Sequence, residues 1–141
     1  MYWLKALRHF FISNSRHGTH SPFVYELADK VIYGSGDSVN SDLIEEIKRY
    51  YVAKELVDQS AFLVLSAKDA THDLLLNKQQ DYFMIFLKDI HLNKDTELLW
   101  NSVLNNNAFI VTIDLFKFGI ICFRKEQPKE NFILRYPYWK F

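Results

Sequence analysis

Two short, unbroken apolar runs, Ala61 to Leu65 and Tyr82 to Leu87, constrain this chain more than any other feature. Each has the length of a strand. Neither alternates with polar residues as a strand with one wet face would, so both are expected to be covered on two sides. Between them, Asp69 to Lys78 carries Leu74, Leu75 and Leu76 and fits a short helix. After the second run, Asp95 to Leu104 carries Leu98, Leu99, Trp100 and Val103 and fits another. Strand, helix, strand, helix predicts an α/β layered domain. Asn105, Asn106 and Asn107 are expected to end the second helix, because asparagine tolerates left-handed backbone geometry. The pattern then turns β-rich, with strands expected over Ala108 to Phe116, Phe118 to Phe123 and Phe132 to Tyr136. Gly119, the only glycine after Gly36, is expected to help the chain turn together with Lys117 and Phe118.

The first third supplies helices alone. Trp3, Leu4, Leu7, Phe10 and Phe11 recur at helical spacing, with Lys5, Arg8 and His9 on other faces. Ser21 followed by Pro22 has the form of a helix start, and a second helix is expected to run to about Tyr33. Gly34, Ser35 and Gly36 break it. Asp42 with Glu45 three residues later has the form of a capping box, and Leu43, Ile44, Ile47, Tyr50 and Tyr51 give the next helix its buried face. The expected organisation is one domain over residues 1–141, with residues 1–57 a mainly helical extension and residues 61–136 a mixed sheet with its helices.

A chain of 141 residues can remove roughly 68% of its unfolded surface from water without a disulfide or metal staple. Seventeen basic residues balance seventeen acidic ones, so no net field draws the molecule to nucleic acid or anionic lipid. Cys122 is the single cysteine and sits in an apolar run, which suits a reduced compartment and a packed thiol rather than a reactive one. Charges interrupt the apolar N-terminus where a signal peptide would be unbroken. Asp114 and Lys117 cut the richest apolar region, Ala108 to Phe123, which falls short of the roughly 20 apolar residues of a membrane helix. Cytoplasmic residence is the expectation.

Two blocks of sequence carry a resemblance. One is Arg16-His17-Gly18-Thr19-His20-Ser21-Pro22-Phe23-Val24-Tyr25. The other is Lys88-Asp89-Ile90-His91, followed by Thr112-Ile113-Asp114-Leu115-Phe116 and by Phe118 to Gln127. Together, over approximately residues 1–33 and 82–136, they resemble a bacterial family of class I S-adenosylmethionine-dependent methyltransferase-like proteins. That resemblance implies a Rossmann-like sheet with a glycine-rich turn after its first strand, where backbone must approach the cofactor closely. Ala53 to Gln80 has no glycine, and it is shorter than the roughly 30 residues that one strand-helix-strand unit takes. The expected fold is therefore a truncated Rossmann-like mixed sheet with antiparallel C-terminal strands and a helical N-terminal extension, from which an internal deletion has removed the ordinary cofactor-binding half. Ser66-Ala67-Lys68-Asp69-Ala70-Thr71 reads as strand-to-helix punctuation, with a remodelled ligand loop as the alternative. Gly34-Ser35-Gly36 follows a helix rather than a strand, the wrong context for a dinucleotide fingerprint.

Asp89 and His91 are the candidate catalytic residues. They follow the expected strand Tyr82 to Leu87, at the end of a sheet where open α/β folds place ligands. By resemblance this loop borders the methyl acceptor, where Asp89 would orient a substrate and His91 would act as a general base. A solvated loop with local hydrogen bonds is the plainer alternative. Lys88 stands where the family has a second acidic residue, which weakens a divalent metal site. His17 and His20, with His9, His72 or His91, could gather a metal only on spacing; a helix-entry loop explains them more simply and no metal is assigned. Asp114 is expected to hydrogen-bond at a sheet edge or to pair with Lys117, and Arg124 and Lys125 to cap the polar rim.

These features predict a noncatalytic, methyltransferase-derived protein that binds a partner, foremost another copy of itself, and needs no cofactor. The alternative is an enzyme that uses S-adenosylmethionine in a rebuilt or dimer-shared pocket. The first helix is expected to dock on its own domain or on a partner subunit, with contact at a membrane surface as a third option.

Overall fold

A computed structural model describes residues 22–32 and 42–134. The expected first helix, His17, His20, Gly34 to Gly36 and Tyr136 lie outside the described residues. Pro22 opens a helix α1 (Pro22–Leu27), which widens into one π-helical stretch (Ala28–Ile32). Then follow α2 (Leu43–Ala53), β1 (Phe62–Ser66), α3 (His72–Lys78), β2 (Met84–Lys88), α4 (Lys94–Leu104), β3 (Val111–Asp114), β4 (Phe118–Cys122) and β5 (Glu130–Ile133).

The α/β class and the expected strand-helix-strand-helix order are both present. The strands form one mixed sheet in the order β1-β2-β4-β3-β5. β1 and β2 are parallel, β4 runs antiparallel to both β2 and β3, and β3 is parallel to β5. The hairpin that joins β3 to β4 thus folds β4 back into the gap beside β2.

The strands read as unbroken apolar runs because each face of the sheet has its own core. Met84 and Phe86 of β2 join α1 and α2 residues on one face, with Ile47 and Tyr51 from α2 fully buried among them. Ile85 and Leu87 turn to the other face and meet Leu75 of α3 and Trp100 and Val103 of α4. Both crossover helices lie on this second face, as two connections of the same hand stepping in the same direction require.

Caps fix the helix starts. The Asp42 side chain accepts from Ile44 N at 2.9 Å, but the expected box with Glu45 does not close, since Glu45 lies 3.3 Å from Lys48 Nζ instead. A complete box forms where it was not expected, at α4. Thr96 N donates to Asn93 Oδ1 at 3.0 Å, and Asn93 N donates to Thr96 Oγ1 at 3.1 Å. At the other end, α4 stops at Leu104 and Asn105 caps it as expected, though with right-handed rather than left-handed geometry. Among the described residues the left-handed non-glycine positions are Glu55, Asp89 and Phe116.

Gly119 corrects a second expectation. It sits inside β4, opposite Leu87 on one side and Asp114 on the other, and turns nothing. A Cβ there would collide with the six-membered ring of Trp100, so glycine is present to let α4 approach the sheet. The turn belongs to Phe116, at φ 66°, with Lys117 N donating to Leu115 O at 2.9 Å across it.

Candidate functional site

β1, β2 and β3 run parallel and end on one side of the sheet, at Ser66, Lys88 and Asp114. Ligands of open α/β sheets bind beyond such carboxyl ends. Both sequence-derived candidates are here, in the turn after β2, and the structure separates their roles. Asp89 adopts the left-handed region at φ 62°, and its N–H donates to Lys117 O at 2.8 Å, stitching the β2 loop to the β3–β4 hairpin. No hydrogen bond joins its carboxylate to His91 or to any other described residue.

His91 is held from both sides. Its Nε2 lies 2.7 Å from Asp114 Oδ2 and its Nδ1 lies 3.2 Å from Glu97 Oε2. Its ring stacks on Phe116, with centroids 5.1 Å apart and planes 12° from parallel. Ionised carboxylates only accept hydrogen bonds, so satisfying both contacts requires a proton on each ring nitrogen. The arrangement favours the imidazolium form. Burial works against that charge and is the largest single influence on it. The Asp114 hydrogen bond and charge, followed by those of Glu97, together outweigh burial and lift the His91 pKa above its ordinary value of 6.5.

Asp114 belongs to this cluster, which corrects its expected place. β3 lies between β4 and β5 rather than at an edge, and the carboxylate faces the α4 layer. Besides His91, it accepts the Phe116 N–H at 2.8 Å through Oδ1. That bond helps hold Phe116 in a conformation which costs an L-residue roughly 1–2 kcal/mol. A two-residue hairpin of this kind favours glycine at that position, but a glycine would have no ring to lay on His91.

Asp114 and Glu97 are thus site residues that the sequence reading did not assemble. The signal for Asp114 was its spacing: Thr112 and Asp114 alternate with Val111 and Ile113, which places an acidic side chain on the face opposite theirs, where α3 and α4 pack. Glu97 carried no comparable mark. It became legible only once α4 was known to start at Lys94 and to aim its first turn at the β2 loop.

Chemically, an imidazole between two carboxylates can join three segments, and in its protonated form it can donate a proton but has no lone pair with which to act as a base. Its two nitrogens point to different carboxylates, so the three side chains do not converge on one point. Among the described residues no group of three His, Cys, Asp or Glu side chains is placed to hold a metal. His72 is engaged elsewhere, 3.1 Å from Asn106 Nδ2 and edge-on to Phe109.

The remaining candidates take structural places. Ser66 to Thr71 forms a short 3-10 turn over Ala67–Asp69, Ala67 is buried, and Thr71 Oγ1 accepts from Leu74 N at 3.1 Å to cap α3. Cys122 is fully buried, and burial pushes its thiol up to about 12, so it stays protonated and unreactive. Arg124 lies over the Phe23 ring, 4.1 Å from its centroid, and pairs with Glu126. Among the described residues no helix is long and apolar enough to cross a membrane. Comparison with protein-family models, with curated proteins and with solved structures finds no match to this chain.

Proposed function

We propose that this chain is a noncatalytic binding domain of methyltransferase ancestry that acts in the cytoplasm by associating with a second copy of itself. The observation that carries the ancestry is the order of the parallel strands. In a doubly wound sheet the second half lays its strands outward in sequence order from the switch point. Here β1, β2 and β3 follow one another outward in that way, with β4 inserted antiparallel between the last two. On this reading α1 and α2, which pack on the opposite face from α3 and α4, belong to a helical extension of a truncated Rossmann-like sheet.

The loss of cofactor binding is supported by the loop after β1. A methyl-donor nucleoside needs open backbone at that turn, and here Ala67 is buried while the Thr71 hydroxyl already occupies an α3 amide. These residues do not fit S-adenosylmethionine. His91, with a carboxylate at each ring nitrogen, supports a holding role more than that of a base. Balanced charge favours a protein partner over nucleic acid.

Calorimetric titration of the full chain with S-adenosylmethionine tests the noncatalytic reading, and no heat of binding is expected. Stoichiometric binding would overturn it in favour of an enzyme with a rebuilt or shared pocket. One observation speaks for that second reading: Asp89 and Phe116, two strained positions of the kind that gather at working sites, sit side by side at the ligand end of the sheet.

A further inference from the structure

We infer that two copies of this chain join by antiparallel pairing of β1 with β1, with Val64 of each copy on the two-fold axis; this rests on the self-association proposed above. The two outer strands of the sheet among the described residues are β1 and β5, and they differ in kind. β5 is entered through Pro128 and Lys129 and begins at Glu130, so it carries the proline and charges with which proteins blunt an edge. β1 reads Phe62-Leu63-Val64-Leu65-Ser66, with no charge, no proline and an unbroken parallel register to β2. Its sequence invites a neighbour strand.

The occupant that fits is a second β1, because this strand is complementary to itself. With Val64 on the axis, Leu63 of each copy lies opposite Leu65 of the other, and Phe62 lies opposite Ser66. Directly opposed residues of an antiparallel pair share a face. Leu63 and Leu65 are only partly covered where they pack against the α3–α4 core, so the pairing brings four leucines together and carries that core across the axis. On the other face Val64, 37% exposed in the single chain, meets its own symmetry mate beside Phe62. An isologous interface of this kind closes after two chains.

The test combines mass measurement with a cysteine trap on the full chain. Cβ–Cβ and Cα–Cα spacings of directly opposed residues suit a disulfide. The substitution V64C is therefore expected to give a covalent dimer on mild oxidation. Wild type, whose one cysteine is buried, and L98C, at a 58% exposed position on α4, are expected not to. V64K places like charges against each other on the axis and should weaken dimerisation at least about tenfold by sedimentation equilibrium, with circular dichroism confirming the fold. If the wild type is dimeric but V64C does not crosslink and V64K stays dimeric, this interface is wrong while self-association stands. If the wild type is monomeric at every accessible concentration, both fall.

Discussion

Asp114 closes β3 with its carboxylate 2.7 Å from Nε2 of His91, joining residues that stand at the ends of two parallel strands. Glu97 on α4 takes the opposite ring nitrogen, so one imidazole ties together the β2 loop, a helix start and the β3–β4 hairpin. Phe116 lies flat against the ring, and Asp114 holds the Phe116 amide. Charge, stacking and a strained turn meet in this one unit.

That unit makes stability depend on pH in a defined direction. His91 has its folded pKa raised above the ordinary 6.5, so its contribution is complete below the unfolded value and is lost as pH rises through the folded one. Urea unfolding is expected to show stability falling across that interval. Asp114→Asn should flatten the fall and cost about 2 kcal/mol at pH 6, the scale of a hydrogen bond to a charged group. Proton NMR of the His91 ring gives the direct check. A midpoint at or below 6.5 in the wild type would sink the clasp.

Gly119→Ala should destabilise the domain by about 1–3 kcal/mol, although alanine adds a side chain to a strand where glycine is ordinarily a weakness. The cause is the Trp100 ring, which fills the space a Cβ needs. Made in a Trp100→Leu background, Gly119→Ala should cost less than it does in the wild type, so the two changes are expected to be non-additive in thermal unfolding. Additive effects would show that the close approach is not the reason for the glycine.

Glu55→Gly should stabilise the chain by about 1 kcal/mol. Glu55 takes φ 59° just past α2, where its N–H reaches Val52 O and the Leu56 N–H reaches Tyr51 O, the bonding of a helix end that prefers glycine. Its side chain is exposed and makes no bond that the substitution would lose. A rise in melting temperature without change in the circular dichroism spectrum is the expected result.

Two acid or amide positions near helix starts should respond unequally. Asn93→Ala removes the side-chain half of a closed capping box and should cost about 1 kcal/mol or more. Glu45→Ala removes only a surface contact to Lys48 and should cost well under about 0.5 kcal/mol. Equal losses in denaturant midpoints would contradict the capping geometry.

Local sequence determined the elements of this protein. The runs around Leu63 and Phe86, the helical spacing of Ile44, Ile47 and Tyr51, and the Ser-Pro start before α1 are short-range signals, because periodicity and capping are settled within a few residues. They located the strands and helices to within a few positions and gave the α/β class. They also placed Asp89 and His91 just after β2, at the carboxyl ends of the parallel strands. What the tertiary structure alone decided was everything that depends on residues far apart in sequence. The insertion of β4 between β2 and β3 took Asp114 from an expected edge into the interior and within reach of His91. The closeness of α4 to the sheet turned Gly119 from an apparent turn residue into clearance for Trp100. The turn passed to Phe116, whose strain no local preference would select and which is offset by its stacking and by the Asp114 bond. Side-chain pattern names the face a residue turns to; only the order of strands decides what waits there.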